Sequence, residues 1–130
     1  DMSLFIEATV KTPKIDFKTN EGLILISGIS IPEDPQEFFA PLDEALDVYV
    51  GSPAESTSLE FKLEYFNTST TLIIRNLIRR LRDISSKTKL NVKWYFENDD
   101  EDMEEAGGEF KILFKDIDFD IIGVNNFDSE

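Results

Sequence analysis

The sequence contains neither cysteine nor histidine. Without a thiol or an imidazole the chain has no cysteine nucleophile, no Ser-His-Asp triad, no disulfide and no zinc site of the usual kind. The lack of cysteine suits a cytoplasmic protein, which is the location we expect. We also expect no cofactor, no bound metal and no enzymatic activity.

Long apolar runs and positive charge are also scarce. No stretch of the sequence approaches the ~20 apolar residues that a membrane-spanning helix needs, so we expect no membrane insertion. The 13 Lys and Arg stand against 27 Asp and Glu, which gives a net charge of −14. Because that charge repels nucleic acid, the expected partners are proteins.

The negative charge is concentrated in residues 97–109, which hold 8 of the 27 acidic residues and no Lys or Arg. A calcium-binding loop that started at Asp100 would need Gly in its sixth place, where this chain has Glu105. The spacing therefore favours a solvated acidic helix or loop over a metal site.

The hydrophobic content and the pattern of apolar residues predict one folded α/β domain over residues 1–130. A hydrophobic fraction of 41% in 130 residues is enough for one core but not for two. Ile15–Phe17 and Leu23–Ile26 flank a loop that ends at Gly22, which predicts a hairpin. The unbroken Leu-Ile-Leu-Ile run predicts a strand that is buried on both faces.

Three helices are indicated by their caps and their apolar spacing. Asp34 and Pro35, with a capping-box Glu37, predict the start of a helix whose apolar stripe is Phe38, Leu42, Leu46 and Val50. The second stripe is Ile73, Leu77, Leu81 and Ile84, backed by Ile74 and Ile78, with Arg75, Arg79 and Arg82 on the opposite face. The acidic segment predicts a third, short helix.

Alternating residues predict the strands around the second helix. Leu59 to Tyr65 and Val92 to Phe96 alternate apolar and polar side chains, and the second helix separates them. This order predicts a crossover between parallel strands. Residues 110–114 and 119–122 are late strand candidates. The expected fold is a mixed β-sheet with helices mainly on one face.

The junction between the first of these strands and the second helix reads Asn67-Thr68-Ser69-Thr70-Thr71. Four consecutive hydroxyl residues exceed what capping needs, since one hydroxyl is enough. A helix start offers free N–H groups and a partial positive charge, so a phosphorylated Ser or Thr is also accommodated there. The residues alone leave both interpretations open: a phosphorylation site, or a helix capped by Thr68 or Ser69.

Several short segments, taken in order, resemble the SiaC-like regulatory phosphoproteins of bacteria. They span nearly the whole chain, and they are Thr12-Pro13, Gly28 to Glu33 with Glu37-Phe38-Phe39, Tyr65 to Ser69, Val92 to Phe96, Asp99 to Met103 and Gly108-Glu109-Phe110.

The resemblance implies a STAS-like fold and a function in partner switching. It implies that a protein kinase phosphorylates a hydroxyl at the strand-to-helix corner and that a PP2C-type phosphatase removes the phosphate. The unmodified form then binds an effector, which in the namesake pathway is a diguanylate cyclase. The family motif places the acceptor at Thr68, with Ser69 as second choice. The expected partner-binding residues around it are Asn67, Thr70, Thr71, Leu72 and Arg75.

Two other classes of function remain as alternatives. In the first, the protein is a constitutive acidic interaction scaffold, and the hydroxyl-rich stretch only caps a helix. In the second, it is a carboxylate enzyme, which requires a pocket with two converging acids.

Overall fold

Six strands lie side by side in the order in which they occur along the chain. The structure, a computed structural model, describes residues 3–129. The strands are β1 (Leu4–Ile6), β2 (Lys14–Lys18), β3 (Leu23–Ser30), β4 (Ser56–Phe66), β5 (Lys89–Glu97) and β6 (Asp118–Val124). The helices are α1 (Pro35–Tyr49), α2 (Thr68–Arg82) and α3 (Glu101–Leu113).

The sheet is mixed, as predicted. Strands β1, β2 and β3 are antiparallel, and β3 to β6 are parallel. The predicted hairpin joins β2 to β3 through a single 3₁₀ turn that ends at Gly22. Gly22 has φ of 64°, and a Cβ atom there would lie 2.1 Å from the carbonyl oxygen of Ser56. Both its backbone angle and its close contact therefore require glycine.

The three helices cover one face of this sheet. Each helix joins two neighbouring parallel strands, and each crossover steps in the same direction along the sheet. Because such crossovers are almost always right-handed, all three helices pack on the same side. The predicted crossover from β4 through α2 to β5 is confirmed. Among residues 3–129, no helix is long and apolar enough to cross a membrane.

The core lies between the helices and that face, with Trp94 of β5 at its centre. Trp94 is fully buried, and its ring centroid lies 5.2 Å from that of Phe61 and 5.4 Å from that of Phe110. Its indole Nε1–H donates to the carbonyl oxygen of Met103 at 2.9 Å. Burial of the aromatic body with its one donor satisfied fixes α3 against the sheet.

The prediction that β3 is buried on both faces is wrong. Ile24 and Ile26 are buried against the helices, whereas Leu23 and Leu25 on the opposite face are only half-buried. The reason is that no helix covers that opposite face of the sheet.

The predicted alternation along β4 ends before Tyr65. Leu63 pairs with Gly28 and Tyr65 pairs with Ile29, so Glu64 is an extra residue at a bulge. A bulge reverses the side to which the following side chains point. Phe66 consequently packs against Trp94, and Tyr65 is 58% exposed.

Helix α1 begins as predicted, with the Asp34 carboxylate accepting from the Glu37 N–H at 3.1 Å. Leu42 and Leu46 of the predicted stripe are buried, as are Phe39 and Tyr49, which were expected to widen it, whereas Phe38 and Val50 at its ends are only half-buried.

The prediction of a strand over residues 110–114 is also wrong. The acidic segment does form a helix, but α3 continues to Leu113. Met103, Gly107 and Phe110 are buried on its inner face. The apolar residues near its end therefore belong to helix faces rather than to a strand. The predicted strand over residues 119–122 is confirmed within β6.

Candidate functional site

The parallel strands all end at one edge of the sheet, and every helix begins there. Asp34, Asn67 and Asp100 are the N-cap residues of the three helices. The hydroxyl-rich stretch is thus the junction of β4 with α2, in the middle of this edge.

Asn67 caps α2. Its side-chain oxygen Oδ1 accepts from the Thr70 N–H at 3.2 Å and from the Ser69 hydroxyl at 2.9 Å. Its own backbone N–H donates to the carbonyl oxygen of Ser30 at 3.1 Å. The capping interpretation assigned this task to Thr68 or Ser69, and that assignment is wrong.

Thr70 points into the protein rather than toward solvent. It is 1% exposed, and its Oγ1 lies 2.8 Å from Ser30 Oγ and 3.1 Å from the Ser30 carbonyl oxygen. These bonds tie the first turn of α2 to the end of β3. The expectation that Thr70 contacts a partner is therefore corrected, because its side chain is inaccessible.

Thr68 is the first residue of α2, and its side chain is exposed. Among residues 3–129, no hydrogen bond to the Thr68 hydroxyl is found. Ser69, the second-choice acceptor, is half-buried and donates its hydroxyl to the cap. Of the two hydroxyls, that of Thr68 is thus the one accessible to a modifying enzyme without breaking the cap.

An apolar groove lies between α2 and α3. Its volume is about 550 Å³, and it is lined by Phe66, Thr71, Arg75, Ala106, Glu109, Phe110, Ile112 and Leu113. Ile112 is 67% and Leu113 52% exposed, and Leu72 on α2 is 55% exposed. Large exposed apolar side chains of this kind, grouped around a groove, are typical of a protein-binding surface.

The predicted partner-binding residues divide into two groups. Thr71 and Arg75 line the groove, and Leu72 is exposed near it. Asn67 and Thr70 instead build the cap that fixes the start of α2.

Sequence reasoning missed the wall of the groove that α3 supplies, because residues 110–114 were predicted as a strand. The signal was present in the Asp100 cap and in the helical spacing of Met103, Phe110 and Phe114. The Asp100 carboxylate accepts from the Met103 N–H at 3.0 Å, and all three apolar side chains are buried.

The acidic loop before α3 lies at the same edge of the sheet. Glu97, Asp99, Asp100, Glu101 and Asp102 line an open depression. Each of these side chains is exposed or half-exposed, so they are solvated carboxylates rather than an enclosed acid-base pair. In the described part of the chain, no three His, Cys, Asp or Glu side chains are grouped closely enough to hold a metal ion.

Comparisons with solved structures find proteins that share this fold. The chain is similar to SiaC from Pseudomonas aeruginosa, whose structure was solved in complex with the diguanylate cyclase SiaD, the enzyme that SiaC activates. The two structures match with a TM-score of 0.83 and 22% sequence identity, over 93% of this chain and 99% of that one. The structure of apo-SiaC from the same organism matches with a TM-score of 0.77 and 22% identity, over 93% of this chain and 97% of that one.

The sequence comparisons agree with the structural ones. An uncharacterised protein of Pseudomonas aeruginosa strain UCBPP-PA14 is 23% identical over 109 residues, which are 83% of this chain and 86% of that protein. The family model of the SiaC family regulatory phosphoproteins matches residues 6–124. That match covers most of the sequence, so the chain belongs to the SiaC family of regulatory phosphoproteins.

Proposed function

We propose that the chain is a non-enzymatic cytoplasmic signalling protein that exchanges protein partners through reversible phosphorylation of Thr68. The observation that carries this proposal is the exposed Thr68 hydroxyl, which takes no part in the cap and lies about one helical turn before Thr71, a residue that lines the apolar groove. The STAS-like relationship implied by the family resemblance is part of the same proposal.

The two modifying partners are those that the family resemblance implies. A protein kinase transfers the γ-phosphoryl group of a nucleoside triphosphate to Thr68 Oγ1, which loses its proton, and the nucleoside diphosphate leaves. A PP2C-type phosphatase adds water across the phosphate ester, which restores the hydroxyl and releases inorganic phosphate. Free backbone N–H groups in the first turn of α2 favour the phosphorylated form.

The third partner is an effector that docks on the groove and the exposed Leu72. A diguanylate cyclase is the effector that the SiaC complex with SiaD supports. The groove combines apolar side chains with the cation of Arg75 and the carboxylate of Glu109. Such a mixture of an apolar centre and a charged rim is common in interfaces between proteins.

Phosphorylation would change this surface through charge. A phosphothreonine carries about −1.5 to −2 charge at neutral pH. The edge of the sheet that contains Thr68 already carries five acidic residues between the end of β5 and the first turn of α3. Added negative charge there repels a partner that approaches with acidic groups, and it also increases the cost of removing water from the interface.

The test is an intact-mass measurement on protein purified from its native cells, with and without phosphatase treatment. We expect a mass increase of one phosphoryl group that the phosphatase removes and that Thr68→Ala abolishes. Ser69→Ala is the matched control and should remain labelled. Equal labelling of Thr68→Ala and the parent protein would show that the acceptor is another residue.

A further inference from the structure

Arg75 is a cation that has no anion in the described structure. Its Nε atom is buried, and among residues 3–129 it is the one buried side-chain nitrogen or oxygen without a hydrogen-bond partner. No carboxylate of these residues lies within ion-pair distance of its guanidinium, although Glu109 lines the same groove. A buried donor without a partner costs free energy, so the residue is poised to accept an anion.

The other arginines near this part of α2 have partners. Arg80 lies 2.6 Å from an Asp47 carboxylate oxygen, and Arg79 donates to the Asn76 side-chain oxygen at 3.0 Å. Arg82 lies 3.9 Å from an Asp116 oxygen. Arg75 differs from them because it lines the groove and its Nε has no hydrogen-bond partner among the described residues.

Helix geometry places Arg75 on the same face as Thr68. The two residues are seven positions apart, which is close to two full turns and a rise of about 10.5 Å. Side chains on a helix lean toward its N-terminus, which favours approach of the Arg75 side chain to the Thr68 turn but tilts the Thr68 side chain away from it, so the pairing requires the phosphothreonine side chain to turn toward Arg75. With both side chains extended toward each other, at about 1.25 Å of advance per bond, the five bonds from the Arg75 Cα to the guanidinium carbon and the three bonds from the Thr68 Cα to phosphorus reach at most about 10 Å, and a charge-assisted N–H···O contact of about 2.8 Å covers the remainder.

We infer that Arg75 is the residue that binds the phosphate once Thr68 is phosphorylated. This inference rests on the proposed function, and it adds an intramolecular step to it. The guanidinium has several N–H donors in a planar fork, which suits two oxygens of one phosphate. The ion pair crosses the exposed faces of Thr71 and Leu72, the residues between the two partners.

Two changes in the docking surface follow from this pairing. The groove loses the cation that would otherwise pair with an acidic group of the effector. The paired side chains also cover part of the α2 wall of the groove, so a partner must break the ion pair before it docks. Phosphorylation thereby weakens docking by occupying the surface, in addition to repelling charge.

The test measures the phosphate directly in protein that carries phosphothreonine at position 68, introduced during translation. The probe is a ³¹P NMR pH titration of the phosphothreonine in the parent, in Arg75→Gln and in the control Arg79→Gln. An adjacent cation favours the dianion, so we expect Arg75→Gln to raise the second phosphate pKa by about 0.5 or more. Arg79→Gln should leave that pKa unchanged, and Arg75→Lys should restore part of the difference.

A second measurement does not depend on the variants folding. The Arg75 Nε–H resonance is recorded in the parent protein before and after phosphatase treatment, and we expect it to shift when the phosphate is removed. Identical phosphate titrations in the parent and in Arg75→Gln, or an Nε–H resonance that does not respond to the phosphate, would overturn the inference.

The result of this test does not depend on the result of the intact-mass experiment that tests the proposed function. The phosphate is placed without a kinase, so the pairing is measured whether or not native cells modify Thr68. Failure of the mass experiment with success here would leave Arg75 as a phosphate-binding residue. The reverse result would leave a switch that acts through repulsion alone.

Discussion

The side chains at the junction of β4 and α2 have different roles. Asn67 caps the helix, Thr70 ties it to β3, and Thr68 is left with an exposed hydroxyl. The sequence identified this stretch, but it could not assign the tasks, because a cap, an inward bond and an exposed hydroxyl differ only in the direction of each side chain. That direction depends on where β3 ends, which is far away along the chain.

The role of Asn67 gives a prediction for stability. Asn67→Ala removes the acceptor for the Thr70 N–H and the Ser69 hydroxyl, so the free energy of unfolding should fall by about 1–2 kcal/mol. Urea unfolding followed by Trp94 fluorescence measures this. Asn76→Ala, an exposed position on the same helix, is the matched control and should change stability by less than about 0.5 kcal/mol. Equal effects of the two substitutions would contradict the assigned cap.

Helix α3 is the element that sequence reasoning described least well. Two adjacent glycines interrupt its pattern, and Ile112 and Leu113 follow on its exposed side. Most of β4, together with β5, β6 and the capped start of α1, was predictable because alternation, spacing and caps agree there. The exposure of the second face of β3 was not, since it depends on which side of the sheet the helices pack.

The two glycines of α3 should respond in opposite ways to alanine. A Cβ at Gly107 would lie 2.4 Å from Trp94 Cδ1, so Gly107→Ala should destabilise the fold by about 1–3 kcal/mol. A Cβ at Gly108 meets nothing within 4 Å, and Gly108→Ala should stabilise it by about 0.5–1 kcal/mol.

Urea unfolding measures both glycine variants. The fluorescence of Trp94, the one tryptophan of the chain, reports on the local packing. The emission should change in Gly107→Ala and remain that of the parent in Gly108→Ala. Destabilisation by both substitutions to the same extent would mean that α3 does not pack on Trp94 through Gly107.

The molecule as a whole carries a net charge of −14. Neutralising part of this charge distinguishes a phosphorylation switch from a constitutive scaffold, because the two predict different effects on binding. A scaffold that binds a basic partner through its acidic segment should lose affinity when Asp99, Glu101 and Asp102 are neutralised. A switch at Thr68 should be nearly indifferent to that change, because these three carboxylates lie outside the groove on which the effector docks.

We therefore expect the triple variant Asp99→Asn, Glu101→Gln, Asp102→Asn to alter effector affinity by less than about threefold, and Thr68→Glu to weaken it by about tenfold or more. Isothermal titration calorimetry at 0.15 M salt compares them. A variant with equal change of net charge elsewhere, Glu21→Gln, Glu44→Gln, Glu55→Gln, is the control. The reverse order of effects would favour the scaffold.

The most direct test of the switch is a titration of the effector with two forms of the same protein, one unmodified and one phosphorylated at Thr68 alone. A diguanylate cyclase encoded by the same organism is the first effector to use. The account predicts that the phosphate raises the dissociation constant by about tenfold or more, which corresponds to ~1.4 kcal/mol, and that phosphatase treatment restores tight binding. Equal affinity of the two forms would contradict it.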